Sequence, residues 1–489
     1  MDTKKPNVKL NVVYDTLYRI LTTITPFVTA PYVARVIGAD GIGIQSYTQS
    51  IQSYFIMFAS LGTAVYGSRE VARVRDDEKT LSKLFWELEL MCVITTSVCF
   101  LLWIPLVITS TEYGKIYLVL SLGVIGTALD ISWFYSGLEK FRSIVTRNTV
   151  VKIAEIVLLF TLVKSSDDLL VYISISAVTS FLCYISYWAG LGKHVKEVPF
   201  KELRIWRHFK GTLIFFLPSI ASSIYLMLDK PLLKWITGDN AEIGYYQQAQ
   251  KFIDVLKSIV FTSINSVVGV RMSNLYAHDE KDEIRHNFSQ SLNYILFMGF
   301  GCAFGLSSVA KGLVPVFYGP GYDKVVPLIY LFSPIVIIIG VSNCLEMQYF
   351  TPCGRRAESI RYLVVGAVVN LCLNMALIPS LKAFGATLAT LIAETVITVQ
   401  YIHNSRGFIA FRDIWLIGWR KLAAGFLMMC AVLLVGKLEI NTIVLLAVQV
   451  VTGVIVYVGL LVLFRDMWLI SFLRDILIKF HIIRKKEEG

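Results

Sequence analysis

Charged side chains recur inside apolar segments of the chain, and the densest group lies on one predicted helix. Lys251, Asp254 and Lys257 are spaced at i, i+3 and i+6, so they share most of one helix face. A charge near the centre of a membrane helix costs about 2.5–3.5 kcal/mol unless it faces protein or water. Two interpretations stay open: the face lines an aqueous cavity with surplus positive charge, or an Asp254–Lys257 ion pair only packs two helices together.

Other polar and charged residues could line the same cavity. Lys230 and Lys234 lie one helical turn apart, and they either add positive charge to the cavity or reach the outer membrane surface with their long side chains. Arg19 can be neutralised by Asp15 at i−4, and Arg35 can reach outer headgroups. The candidate substrate-binding residues are therefore Arg19, Arg35, Gln49, Asp229, Lys230, Lys234, Gln250, Lys251, Asp254 and Lys257.

Two acidic residues fall near the middle of predicted membrane helices. Asp130 and Glu394 have no obvious partner nearby in the sequence. Each could bind a coupling H⁺ or Na⁺, or it could hydrogen-bond a neighbouring helix. Glu89, Glu155 and Glu346 lie nearer the cytoplasmic helix ends, so we expect them at the membrane interface.

The motifs of several other chemistries are missing from the sequence. It contains no G-x-x-x-x-G-K-[ST] phosphate loop, no H-E-x-x-H and no C-x-x-C, and its six histidines are scattered over loops and helix ends. Of the eight cysteines, all but Cys353 lie in apolar runs, so we expect no disulfides. We therefore predict no catalytic residues, no metal and no cofactor, and an H⁺ gradient, an Na⁺ gradient or the membrane potential as the energy source.

The elements that position these residues are predicted to be membrane helices. Of the 489 residues, 55% are hydrophobic and 17% are charged, and the mean hydropathy is +0.63. A helix needs about 20 apolar residues to cross a bilayer, and such runs recur along nearly the whole chain. The sequence thus predicts an all-α integral membrane protein of about 14 transmembrane helices, near 10–36, 42–66, 83–108, 115–137, 146–163, 168–190, 211–236, 243–270, 287–312, 325–350, 360–379, 383–403, 414–436 and 441–464.

The distribution of basic residues predicts the orientation of these helices. Most of the 46 Lys and Arg residues fall in alternate loops, which places those loops and both termini in the cytoplasm. The net charge of +11 is therefore attributed to topology rather than to nucleic-acid binding. The first apolar run carries Asp15, Arg19 and two prolines, which favours a retained helix over a cleaved signal peptide.

An internal repeat with an offset of about 200 residues indicates two related halves. Pro31 to Gly38 is followed by Ile42-Gly43, and Pro231 to Gly238 is followed by Ile243-Gly244. Because six crossings return the chain to its starting side, the halves are predicted to be parallel six-helix lobes with the substrate path between them. The predicted domains are 1–192 for the first lobe, 193–210 for a basic cytoplasmic loop, 211–405 for the second lobe, and 406–489 for two further helices and a basic cytoplasmic tail.

Four segments resemble the polysaccharide repeat-unit flippases of O-antigen, capsule and teichoic-type export, in the multidrug, oligosaccharidyl-lipid and polysaccharide exporter superfamily. These segments are TAPYVARVIGADGIGIQSY, YGSREVARVRDD, LMLDKPLLKWITG and IGYYQQAQKF. The resemblance covers nearly the whole chain, and Asp229 and the turn at Gly244 match family positions best. It implies two pseudo-symmetric six-helix bundles in a V, followed by two C-terminal helices.

The resemblance also implies an alternating-access flippase of a bacterial inner (cytoplasmic) membrane, which moves undecaprenyl-diphosphate-linked oligosaccharide to the outer leaflet. The expected partners are that glycan and membrane lipids; a polysaccharide polymerase and glycosyltransferases are possible partners, and nucleic acid is not expected. Three alternatives stay open: a peptidoglycan lipid-precursor flippase, a cation-coupled small-molecule exporter, and a membrane glycosyltransferase or polymerase. The short predicted outer loops argue against the enzyme.

Overall fold

Every regular element formed by the described residues is a helix. A computed structural model describes the backbone of residues 8–278 and 280–479, and the side chains of these ranges outside 8–20, 23–24, 218–219, 221–226, 262–267, 269–270, 273, 277, 476 and 479. The chain divides into two units, Met1–Gly244 and Tyr245–Gly489. The lobe boundary at 193–210 and the arrangement of six plus six helices stay predictions.

The helices of the first unit follow the predicted spans closely. The stretch α1 contains two helices, because the non-helical backbone of Gly38, with φ +75° and ψ 175°, breaks it between the first two predicted spans. This left-handed conformation favours glycine, which lacks a Cβ. The helices are α1 (Val8–Ser60), α2 (Thr63–Val74), α3 (Glu78–Thr109), α4 (Gly114–Gly126), α5 (Ser132–Gly137), α6 (Phe141–Leu162), α7 (Leu169–Trp188), α8 (Phe209–Met227) and α9 (Asp229–Thr237).

An aromatic core holds α3, α5 and α7 together in the first unit. Phe85 is fully buried, its ring stacks 5.8 Å from that of Trp133, and it meets Phe134 edge-on at 5.0 Å. The start of α3 is fixed by Asp77, whose carboxylate accepts a hydrogen bond from the Lys79 amide at 3.1 Å. This buried cluster therefore lies around the predicted cytoplasmic half of α3.

The second unit is also built of helices. Its helices are α10 (Asn240–Ala277), which begins in the first unit, α11 (Lys281–Tyr318), α12 (Val325–Phe332), α13 (Ile335–Leu345), α14 (Arg356–Leu381), α15 (Ala383–His403), α16 (Phe411–Val435), α17 (Thr442–Leu463) and α18 (Met467–Lys479). A π-helical turn, Glu346–Phe350, follows α13. The Tyr457 hydroxyl donates to the Phe297 carbonyl at 2.8 Å, which fixes α17 against α11.

Among the described residues, nine helical stretches are long and apolar enough to cross a membrane. Large apolar side chains on these helices face outward: Leu101 is 65% exposed, Ile108 75% and Ile455 65%. Such surfaces suit lipid rather than water. The nine stretches are Glu78–Thr109, Gly114–Gly137, Ser166–Lys193, Lys281–Tyr318, Val325–Phe350, Arg356–Leu381, Ala383–His403, Phe411–Val435 and Thr442–Leu463. The other predicted spans coincide with helices that are kinked or carry polar and charged residues.

Candidate functional site

The polar face predicted on α10 is present, and it points away from the core of the second unit. Lys257 Nζ lies 3.1 Å from Asp254 Oδ1, so the predicted ion pair forms. The Asp254 side chain is nevertheless 55% exposed. The partly or fully exposed positions are Gln247, Gln250, Lys251, Asp254 and Lys257, whereas Tyr246, Ala249, Phe252 and Ile253 are buried. The pair is thus exposed on one side of its unit.

Lys234 has an acidic partner that sequence spacing could not identify. Its Nζ lies 3.4 Å from Glu112 Oε1 and 3.2 Å from the Gly238 carbonyl oxygen, and it stands 5.3 Å above the Tyr113 ring. Glu112 and Tyr113 belong to the short connection between α3 and α4, far from Lys234 in the chain. Because its charge is offset locally, Lys234 is a weaker candidate for substrate binding than the lysines of α10.

The two turns that the repeat predicts as counterparts contact each other, backbone against backbone. A Cβ added at Gly43 would lie 1.8 Å from the Asn240 carbonyl oxygen, and one at Gly244 would lie 2.0 Å from the Ala39 carbonyl oxygen. Only glycine permits this reciprocal approach. Gly238, which ends α9, also has a positive φ, +68°, although its ψ of −4° differs from the 175° of Gly38.

The remaining candidates of the first unit are spread over several elements. Arg35 is exposed on α1, and Lys230 is partly buried on α9. Asp229 is 4% exposed at the start of α9, where it interacts electrostatically with Tyr54. The side chain of Arg19 lies outside the described residues.

A polar cavity of about 200 Å³ inside the first unit brings Gln49 and Asp130 together. Asp130 follows the break that ends α4, and its Oδ1 accepts a hydrogen bond from the Ser132 amide at 3.0 Å. Gln52 is held in the wall because its Nε2 donates to the Leu120 carbonyl at 2.7 Å. The other polar residues of the lining are Ser60, Thr63, Thr127, Ser176, Ser180 and Tyr184.

Glu89, which we expect near the cytoplasmic end of its helix, is buried inside the first unit. It is 2% exposed, and its Oε1 has no hydrogen-bond partner among the described residues. Glu89 lies about three helical turns after Glu78, where α3 begins, so it is well inside the unit rather than at the helix end. Glu155, by contrast, is partly exposed and pairs with Lys152 at 2.9 Å.

Glu394 lies in a second polar cluster, formed by α14 and α15 in the second unit. It is 7% exposed, one helical turn after Thr390. Asn370 and Asn374 on α14 are fully buried; Asn374 Nδ2 donates to Asn370 Oδ1 at 3.0 Å, and Asn370 Nδ2 lies 3.4 Å from Thr390 Oγ1. Glu394 therefore has polar surroundings deep inside its unit.

The basic loop before α8 is anchored to α3 by one buried carboxylate. Glu87 is fully buried and accepts from Arg207 at 2.6 Å, from the His208 ring at 2.9 Å and from the Arg204 amide at 2.7 Å. Burial lowers the pKa of His208, although its contact with Glu87 opposes this. Arg207 brings a positive charge to the same carboxylate. Trp206 remains 60% exposed, as expected of a segment that rests on a membrane surface.

Replacing Glu87 by Ala is expected to destabilise the protein by about 1–3 kcal/mol, because the His208 ring and the Arg204 amide would lose a buried acceptor. Arg207 is 45% exposed, so water can solvate its charge and the lost pair adds little. Thermal unfolding of the purified chain and limited proteolysis between residues 196 and 207 measure the effect. Glu155→Ala is the matched control, since it removes a partly exposed i,i+3 pair that contributes about 0.3–0.5 kcal/mol. Equal effects of the two variants would contradict the anchoring role of Glu87.

The comparisons with known proteins agree with this architecture. The solved structure of lipid II flippase MurJ in an inward closed conformation superposes with a TM-score of 0.72 at 18% identity, over 94% of this chain and 99% of that one. An inward-facing multidrug resistance MATE family transporter of the MOP superfamily gives a TM-score of 0.63 at 12% identity, over 82% and 95%. The fold is therefore the multi-pass helical fold of the MOP superfamily, whose members are transporters and flippases rather than enzymes.

Sequence similarity identifies the protein family of this chain within that superfamily. Residues 8–275 match the family "Polysaccharide biosynthesis protein", and residues 239–452 match "Lipid II flippase MurJ". A protein of Escherichia coli (strain K12) named "Putative O-antigen transporter" is 22% identical over 418 residues, which cover 83% of this chain and 99% of that protein. The chain belongs to the polysaccharide biosynthesis protein family.

Proposed function

We propose that this protein is an alternating-access flippase of a bacterial inner membrane. It moves undecaprenyl-diphosphate-linked oligosaccharide repeat units from the cytoplasmic to the outer leaflet for cell-surface polysaccharide synthesis. The observation that carries this proposal is the charged face of α10, where Lys251 and Lys257 outnumber Asp254 on a side that points away from the core of its unit. The name of the Escherichia coli relative supports the same class of cargo.

The chemistry of the proposed cargo fits this face. A diphosphate carries negative charge that two lysines can offset, and ammonium groups bind phosphate oxygens through strong charge-assisted hydrogen bonds. A sugar headgroup suits the glutamine side chains one turn earlier, Gln247 and Gln250. The lipid tail can remain in the bilayer, so only the headgroup requires a polar path.

The proposal includes the topology predicted from the sequence. About 14 helices cross the membrane with both termini in the cytoplasm, as two six-helix lobes in a V followed by two C-terminal helices. The alternation of basic loops supports this orientation. Asp130 and Glu394, one in the polar interior of each unit, are the proposed coupling-ion residues.

A second candidate is a flippase for the peptidoglycan lipid precursor. It is favoured by the match of residues 239–452 to the MurJ family and by the high structural similarity to lipid II flippase MurJ. That cargo carries the same lipid diphosphate, so the α10 face suits it equally well.

Depletion of the protein in living cells separates these candidates. Lipid-linked glycans are extracted and identified by mass spectrometry, and a membrane-impermeant glycan label reports their leaflet. The proposal expects a complete repeat unit to accumulate on the cytoplasmic leaflet. Accumulation of peptidoglycan precursor would select the second candidate, and no accumulation of either lipid would refute both.

Replacing Lys257 by Ala is expected to reduce export of the repeat unit about tenfold or more, since a hydrogen bond to a charged group contributes about 1.5–3 kcal/mol. Lys257→Arg keeps the charge and should retain most of the export. Lys437→Ala removes an exposed lysine between α16 and α17 and serves as the control. Normal export by Lys257→Ala at normal membrane levels would remove Lys257 from the proposed site.

A further inference from the structure

We propose that the predicted outer side of the first unit carries a sugar-binding site, in which the Trp235 ring stacks on a pyranose ring and the Glu112 carboxylate accepts hydrogen bonds from sugar hydroxyls. The sugar belongs to the headgroup of the lipid-linked cargo, an identification that rests on the proposed flippase function. The site holds this headgroup on the side of the membrane where the cargo is released.

Trp235 presents its ring at the end of α9 in a fixed orientation. The side chain is 63% exposed, and its Nε1 donates to the Tyr47 hydroxyl at 3.2 Å. Tyr47, on α1, is only 9% exposed, so it supports the indole from inside the unit. A pyranose ring has a face of C–H groups, and such a face packs favourably on the electron-rich face of an aromatic ring.

A carboxylate lies beside these rings, on the connection between α3 and α4. The Tyr47 ring is 5.6 Å from that of Tyr113, whose hydroxyl donates to Glu112. The Glu112 side chain is 56% exposed. Partial burial raises the pKa of Glu112, but hydrogen bonds from Tyr113 and Lys234 outweigh it and hold the pKa below its usual range. Glu112 is therefore an ionised acceptor, to which hydroxyl groups donate about twice as strongly as to a neutral one.

Two further polar side chains fix the carboxylate and define the charge of the site. Lys234 Nζ lies 3.4 Å from Glu112 Oε1, and Asn240 Oδ1 lies 3.1 Å from the Tyr113 hydroxyl. An exposed aromatic ring with a few precisely placed polar groups is typical of a small-molecule site. Because the Glu112–Lys234 pair carries no net charge, the site suits a neutral sugar, whereas the lysines of α10 suit the diphosphate.

A phospholipid headgroup is the other ligand that an exposed tryptophan near a membrane surface can meet. A tryptophan that anchors a protein to the interface directs its N–H toward water or headgroups. The N–H of Trp235 is instead donated to Tyr47, and the nearby Glu112 carboxylate repels lipid phosphates. These two features favour the sugar.

Saturation-transfer NMR of the full-length protein, in phosphatidylcholine nanodiscs free of sugar detergents, tests the site. The probes are the oligosaccharide repeat unit, released by mild acid from the lipid-linked glycans of the source cells, and the disaccharide of peptidoglycan. We expect Trp235→Ala to weaken binding about threefold to tenfold through lost stacking, and Trp235→Phe to retain most of it. Glu112→Gln should weaken binding about fivefold, because a neutral amide accepts more weakly than a carboxylate.

Trp415→Ala is the matched control, since Trp415 is a similarly exposed tryptophan, at 61%, on α16 of the second unit. It should bind the sugar as the wild type does. The site is overturned if neither sugar receives saturation from the wild type, or if Trp235→Ala and Glu112→Gln bind as tightly as the wild type. A lower Tm of Trp235→Ala with unchanged sugar affinity would mean that Trp235 only anchors the protein to lipid, which also overturns the site.

The outcome for the sugar site is distinguishable from that for the flippase. Sugar binding without glycan accumulation on depletion would refute the flippase and leave the site, and accumulation without sugar binding would do the reverse. Binding of the peptidoglycan disaccharide alone would support the site and select the second candidate as the source of the sugar.

A second measurement uses the wild-type protein alone, in case a variant does not fold. Hydroxyl radicals oxidise exposed tryptophan rings, and mass spectrometry reports the rate at each position. The bound oligosaccharide should slow oxidation of Trp235 and leave that of Trp415 unchanged. An oxidation rate of Trp235 that does not respond to the sugar would overturn the stacking.

Discussion

Alanine at Gly43 or Gly244 is expected to reduce glycan export about tenfold or more, although alanine is the best helix former. Each added methyl group would collide with a carbonyl oxygen that lies 1.8 Å from it at Gly43 and 2.0 Å at Gly244. Overpacking of this kind costs about 1–3 kcal/mol. Since alanine has a higher helix propensity than glycine, any loss of export must come from the contact between the two turns.

The physical reason for the loss is strain inside the first unit. The two turns are counterparts in the repeat, and they pack backbone against backbone within that unit. An added methyl group must push the turns apart and so shift α1 relative to α9 and the start of α10.

Gly459→Ala is the matched control for this prediction, because a Cβ at this α17 position meets nothing within 4 Å. Export is followed by the impermeant glycan label, and membrane levels are checked for each variant. The interpretation fails if all three alanine variants export normally, or if Gly459→Ala loses as much export as the other two.

These turns show what the sequence could and could not predict. The repeat identified Gly43 and Gly244 as counterparts because both follow the same local pattern of Pro, Gly and Ile. Their reciprocal contact is a tertiary feature that no local spacing encodes. The same limit applies to Lys234 on α9, because its partner Glu112 lies in the connection between α3 and α4, far away in the sequence.

Helix periodicity, by contrast, predicted the features that depend on one element alone. The exposed polar side of α10 and the Asp254–Lys257 pair follow from the i, i+3 geometry, and both are present. The burial of Glu89 was missed because it depends on how the neighbouring helices cover α3. The polar cavity was only half predicted: Gln49 and Asp130 stood out in the sequence, whereas Thr63 did not.

Lys421 is a buried charge that sequence reasoning overlooked. It is 1% exposed on α16, and its Nζ donates to Asp466 Oδ2 at 2.8 Å and to Asn293 Oδ1 at 3.0 Å. Asp466 in turn accepts from the Leu469 amide at 3.0 Å and so caps α18. The partner is 45 residues away, so only the fold reveals that the pair ties α18 to α16.

Replacing Lys421 by Ala is expected to destabilise the protein by about 3–5 kcal/mol, because it leaves the Asp466 carboxylate buried without a counter-charge. Thermal unfolding in detergent measures the loss, and proteolysis near α18 shows whether that helix detaches. Arg412→Ala, an exposed change on the same helix, should have little effect.

The double variant Lys421→Met with Asp466→Asn distinguishes the loss of the pair from the creation of an unpaired charge. Replacement of both partners by neutral groups of similar volume is often nearly neutral, because the desolvation of two charges disappears together with their attraction. We therefore expect the double variant to recover most of the stability that Lys421→Ala loses, since the Asn side chain can still accept from the Leu469 amide. A double variant as unstable as Lys421→Ala would mean that the packing of the Lys421 side chain, rather than charge balance, holds α18 in place.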